Sequence, residues 1–272
     1  MSTERLYRTE GIVMRRRNQG EADRVLTLCT PSGKVEVIVK GARKTRSRKA
    51  GHVELFTRSG FVISRVQNSW DIVSQAEMIE SHVLLRTDLL RGTYARYAVE
   101  LIDRFFTEGE GGQALFDLLE HTLTWLSEDS DRADLDLIAR FFEQHLLGLA
   151  GFRPELFRCV GDHDQHVSLS RGPTKESRPY GFDPEQGGVL CPACYVEHRR
   201  RPAVVALSPQ VLWFLQECQR DPYSRLRTQQ HTRALHAEAE RVMQHYVTYH
   251  LERSVKTGTF LQQLKQADTA PF

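Results

Sequence analysis

Long apolar runs are missing from this sequence of 272 residues. No stretch approaches the roughly 18 to 20 apolar residues that a spanning helix needs, and the opening MSTERLYRTEG has no apolar segment of the signal-peptide kind. A cytoplasmic protein outside the membrane is expected. Cysteine is scarce: five in all, an odd number and too few for a disulfide framework. Catalytic signatures are absent as well, with no HExxH, no G-x-S-x-G and no Walker A loop. No repeat of about 20 to 50 residues marks a solenoid. The expectation is a protein that is not an enzyme.

The composition present, 40% hydrophobic and 26% charged, is that of an ordinary globular chain. Its length is large for one core, so two domains, or one with an inserted module, are expected. The net charge of +2 conceals a segregation along the chain. Residues 1–80 hold 15 Lys/Arg against 9 Asp/Glu, residues 81–150 hold 6 against 13, and residues 151–272 hold 16 against 13. The basic N-terminal segment is the natural partner of a polyanion, and the acidic middle, with Glu108 and Glu110, is a candidate protein-docking face.

Residues 1–80 read as five short strands: Arg8 to Met14, Arg24 to Cys29, Lys34 to Lys40, Phe61 to Val66 and Trp70 to Ala76. Thr30-Pro31-Ser32-Gly33 supplies a hairpin turn between the second and third. Five strands in this length fit an OB-fold barrel, or an SH3-like one. After Ser81 the period changes from two to about 3.6. Three amphipathic helices are expected on Leu90 to Phe105, Leu115 to Leu126 and Leu135 to Leu149, and a fourth opens at Ser208-Pro209. A last helical region runs from about His231 to Arg253, with a short segment to Leu264. Between Phe152 and Pro202 periodicity fades and Gly, Pro, Asp and Ser accumulate, which marks an insertion.

Lys40, Arg43, Lys44, Arg46, Arg48 and Lys49 put six cations in ten residues with no acid among them. Such density favours phosphates, whose condensed counterions are released on binding. Arg15, Arg16, Arg17 and Arg24 add to this candidate DNA-binding set. Tyr7, Phe56, Phe61 and Trp70 are candidates for base stacking, although most aromatics of a small barrel belong to its core. Cys191-Pro192-Ala193-Cys194 is a C-x2-C thiolate pair, and Cys159 precedes it. A structural zinc needs four ligands, so His163 is the first candidate for the fourth, with Asp162, then His166 or His198 behind it. His231 and His236 read as solvated, and Cys29 and Cys218 as small core residues.

The order of segments resembles the RecO family. GEADRVLTL (Gly20 to Leu28), TPSGK (Thr30 to Lys34) and VKGARKTRSR (Val39 to Arg48) look like its barrel signature. LLGLAGFRPEL (Leu146 to Leu156), GGVLCPAC (Gly187 to Cys194) and YHLERSVKTGTFL (Tyr249 to Leu261) resemble its helical core, finger and C-terminal helix. The resemblance implies an α+β multidomain chain: an OB-fold over 1–80, a helical domain over 81–152 and 203–272, and a zinc-finger-like module inserted at 153–202. It implies binding of single- and double-stranded DNA, strand annealing, and recombinase loading with RecR and the single-stranded DNA-binding protein. A receptor for that protein's acidic tail would draw on Arg140, Arg220, Arg225, Arg227 or Arg233. Asp162 stands where complete fingers of the family have a cysteine, which bears on the fourth ligand. The alternative reading is a zinc-containing OB-fold module for RNA binding or transcription; a zinc hydrolase is disfavoured by the cysteine-rich ligand set.

Overall fold

The structure, a computed structural model, describes residues 6–128, 132–161, 163, 166–167, 178–251 and 255–267. The chain divides into two compact units, Met1–Glu128 and Asp129–Phe272.

The first unit is built on a closed barrel with strand order β1-β2-β3-β5-β4. Its strands are β1 (Leu6–Gln19), β2 (Asp23–Thr30), β3 (Gly33–Val39), β4 (Arg58–Ser64) and β5 (Asp71–Glu80). The expected OB architecture is present. β1 is longer than its apolar pattern predicts, because pairing with β2 carries the polar run Arg15 to Gln19 as strand. Its first half pairs with β4 and its second with β2, with a register shift between Val13 and Arg15. A bulge at such a point sharpens the twist and lets one strand turn the corner of a barrel. The interior is filled by Val13, Leu26, Leu28, Val37, Val39, Phe61, Ile63 and Val73. The hairpin between β2 and β3 uses Gly33 at φ 115°, and the Thr30 hydroxyl donates to the Gly33 carbonyl at 2.7 Å. A Cβ at Gly33 would lie 2.6 Å from the Gly109 carbonyl oxygen, so only glycine fits.

Three helices complete this unit: α1 (Leu84–Thr87), α2 (Leu89–Phe105) and α3 (Gly112–Ser127). Asp88 caps α2 by accepting from the Arg91 amide. The acidic loop before α3 seals the open edge of β3: the Lys34 amide donates to the Glu110 carbonyl, and the Gly109 amide donates to that of Lys34.

The second unit packs α4 (Arg132–Leu149) against α6 (Pro209–Arg220) and α8 (Arg233–Leu251). α6 opens as the sequence predicts, with Pro209 in its first turn and the Ser208 hydroxyl accepting from Val211. Between α4 and α6 lies a three-stranded sheet of order β7-β6-β8, formed by β6 (Tyr180–Asp183), β7 (Gly188–Leu190) and β8 (Val205–Leu207). α5 (Pro192–His198) leads from β7 towards β8. Two buried amides of α6 anchor the lead-in to this insertion. Gln216 donates to the carbonyls of Leu156 and Val167, and Gln219 donates to that of Pro154. α7 (Tyr223–Leu226) and α9 (Lys256–Ala267) finish the unit. Among the described residues no helix is long and apolar enough to cross a membrane.

Two readings of polar residues here are corrected. His236 is buried, 3% exposed, rather than solvated, because it lies on the face of α8 that packs on α6 and meets Phe214 edge-on. Arg140 is buried at 2% and pairs with Glu143 at 2.6 Å within α4, so it is no surface cation. Cys29 and Cys218 are core residues, as expected, with thiols pushed up by burial, that of Cys29 to about 12.

Candidate functional site

The ten basic residues singled out in the barrel fall into two groups. The first is already neutralised. Arg15 reaches Asp103 at 2.5 Å, Arg16 and Arg24 share Glu54, Arg17 meets Glu36 at 3.5 Å, and Lys40 pairs with Asp23 at 2.9 Å. Asp23 also accepts from the Gly41 amide, and this bond with the Lys40 ammonium holds its carboxyl below the usual range.

The second group lies in the turns after β3. Arg43, Lys44, Arg46 and Arg48 are exposed, and among the described residues none forms a salt bridge, although Lys44 adds to the field that lowers Asp23. Local bonds shape this loop without using up its charge. The Arg43 amide donates to Ala22 and its guanidinium to the Gly20 carbonyl, which ties the loop to the β1–β2 turn. The Lys49 ammonium donates to the Val73 carbonyl at 3.1 Å, tying its far end to β5. The result is a braced, cationic loop beside the mouth of the barrel.

The four aromatic candidates separate in the same way. Phe56 and Phe61 are core side chains, 1% and 2% exposed. Tyr7 packs on the core and donates its hydroxyl to Asp71, and burial, with that bond, pushes it up to about 12. Trp70 is half-buried, with the Arg17 guanidinium 4.8 Å from its ring centre. Arg65, which sequence reasoning passed over, lies 5.1 Å over the Tyr7 ring. Its signal was position, in the loop between β4 and β5 that OB barrels use for ligands.

In the second unit, Cys159, Cys191 and Cys194 are buried and their sulfurs all lie within 4.8 Å of one another. Cys191 sits at the start of α5 and Cys194 in its first turn, so helix geometry turns both thiols to one side. The Cys159 sulfur accepts from the amides of Gly161 and Cys191 at 3.4 and 3.2 Å. His163 Nδ1 stands 3.1 Å from Cys194 Sγ and 3.6 Å from Cys191 Sγ. Burial pushes the Cys191 thiol up, but bonds from the Cys194 amide, His163 and the other thiols outweigh it and bring it down to about 6. Burial pushes Cys194 up to about 11. A Cβ on Gly161 would lie 2.8 Å from Cys194 Sγ, so the cradle is closed by a residue with no side chain. A buried set of three thiols with an adjacent imidazole could hold a metal ion. His166 bridges to Arg158 and His198 ends α5; Asp162 lies outside the described residues.

The chain matches two family models, Recombination protein O N terminal over residues 1–82 and Recombination protein O C terminal over residues 86–258. It is 35% identical to the DNA repair protein RecO of Roseiflexus sp. (strain RS-1) over 263 residues, 97% of this chain and 87% of that one. It is 36% identical to the DNA repair protein RecO of Symbiobacterium thermophilum over 266 residues, 96% of this chain and 99% of the relative. A barrel with a bare cationic loop, a helical unit and an inserted thiol cluster thus coincide with likeness along nearly the whole length, and the chain belongs to the RecO family.

Proposed function

We propose that this chain is a DNA repair and recombination mediator without a chemical step, working in the cytoplasm at the nucleoid. It binds single- and double-stranded DNA through the barrel (1–80), anneals complementary strands, and assists recombinase loading together with RecR and the single-stranded DNA-binding protein. The observation that carries this reading is the group Arg43, Lys44, Arg46 and Arg48, exposed and with no salt bridge among the described residues, in a member of the RecO family. Cations without a salt bridge bind phosphates by counterion release and need give up no carboxylate. Arg15, Arg16, Arg17, Arg24, Lys40 and Lys49 flank them, and all but Lys49 must exchange a carboxylate for a phosphate to take part.

The helical segments 81–152 and 203–272 carry the partner surfaces in this reading. The module at 153–202 would hold zinc through Cys159, Cys191 and Cys194, with His163 as fourth ligand. When bound, the ion cross-links the segment before β6 to the start of α5, a structural contribution. Annealing of complementary oligonucleotides coated with the single-stranded DNA-binding protein, without ATP, tests the function. Acceleration is expected; preference for RNA with no annealing would point instead to an RNA-binding or transcriptional module.

A further inference from the structure

Strand register places Trp70 on a surface that the sequence does not reveal. On the outer face of the barrel, Arg15 lies level with Thr27 and Glu36, and Arg17 lies level with Val25, Ile38 and Ile72. Trp70 precedes β5 by one residue, so the parallel register of β3 and β5 brings it level with Glu36 at the end of the first row, and the Arg17 side chain reaches across to it from the neighbouring row. The guanidinium is fixed from two sides, by the Trp70 ring at 4.8 Å and by the Glu36 carboxylate at 3.5 Å, while half of its side chain remains exposed. Of the four aromatic candidates, Trp70 alone is outside the barrel core and outside an interior hydrogen bond of the Tyr7 kind.

We propose that Trp70, braced by Arg17, is a stacking subsite for an unpaired nucleobase and sets a preference of the barrel for single strands. In a duplex the faces of the bases are covered by their neighbours, so only an unpaired base has a face to offer. The basic loop contacts phosphates, which both forms of DNA present. Arg17 contributes a flat cation next to the ring, where bases also stack. Glu36 neutralises Arg17 in the free protein and keeps the pair from attracting duplex by charge alone.

This inference rests on the DNA-binding reading above, and the test separates the two. In the full-length chain, Trp70→Ala should weaken binding of an oligo(dT) strand about tenfold. Binding of a duplex of equal length, and the slope of log affinity against log salt, should stay the same, because no charge has been removed. Trp70→Phe should restore most of the loss. In a Trp125→Phe/Trp213→Phe background, Trp70 is the only tryptophan, and its fluorescence should be quenched by oligo(dT) and not by duplex. Equal loss for both DNAs, no loss, or no quenching overturns the subsite. If the unaltered protein binds neither DNA, the DNA-binding reading itself fails.

Discussion

Lys34 of β3 and Asp103 of α2 meet at 2.8 Å, and the same ammonium donates to the carbonyls of Asp103 and Phe106. Burial pushes the Asp103 carboxyl up, but Lys34 and Arg15 outweigh it and hold it below its usual range. The unfolded chain therefore takes up this proton at a higher pH than the folded one. The contribution to stability is complete above roughly pH 4, the unfolded carboxylate value, and is lost as pH falls through the depressed folded value. Asp103→Asn should cost about 2 kcal/mol at pH 7 and progressively less as pH falls below roughly 4. Urea unfolding followed across that range checks this; a cost independent of pH would remove the ion pair as its cause.

Quadruple replacement of Arg43, Lys44, Arg46 and Arg48 by Ala should lower DNA affinity and flatten its salt dependence. Each phosphate contact contributes about 0.7 to 0.9 to the slope, so a loss of about 3 is expected if all four engage. Arg24→Ala should change it much less, since Arg24 already holds Glu54. An unchanged slope in the quadruple variant would place the DNA on another surface.

Zinc analysis of protein purified without chelator should give about one ion per chain if the thiol cluster is a structural centre. Cys191→Ala should abolish it and loosen the inserted module, while DNA binding by the barrel persists. His163→Ala should weaken retention; full retention would give the fourth position to Asp162, His166 or His198.

Among the described residues neither ring nitrogen of His236 has a hydrogen-bond partner, and burial holds its imidazole down to about 4. The unfolded histidine protonates near pH 6.5, so stability should fall as pH drops from about 6.5 towards 4 and then level off. His236→Leu should flatten that window. It should also leave stability at pH 7 unchanged or raise it by about 1 kcal/mol, since an unpaired buried polar group is removed. A large destabilisation at pH 7 would mean that the imidazole has a partner after all.

Much of this was legible in the sequence, for physical reasons that differ by element. The barrel strands announce themselves through alternation and through the Pro31–Gly33 turn, and the thiol cluster through its C-x2-C spacing. The tail of β1 does not: Arg15 to Gln19 offers no apolar alternate, and its strand form is imposed by β2. The short strands β6 to β8 are too brief for periodicity to register. His236 and Arg140 were misread because polar residue types suggest solvent while their helix faces dictate burial. The pairing of Arg17 with Trp70 arises only once β1, β2, β3 and β5 are assembled in that order, and no local pattern encodes it.

The doubled pairing of β1 fixes an order of events during synthesis. Its second half finds β2 within a few residues, as a local hairpin, whereas its first half waits for β4, whose nearest paired residue is Arg58. The N-terminal hairpin can therefore form at the ribosome while Leu6 to Gly11 still lack a neighbour, and closure waits for the last strand to emerge. Local contacts are fast to make and distant ones slow. The cationic loop, which lies between β3 and β4, is thus translated before the barrel that braces it can close.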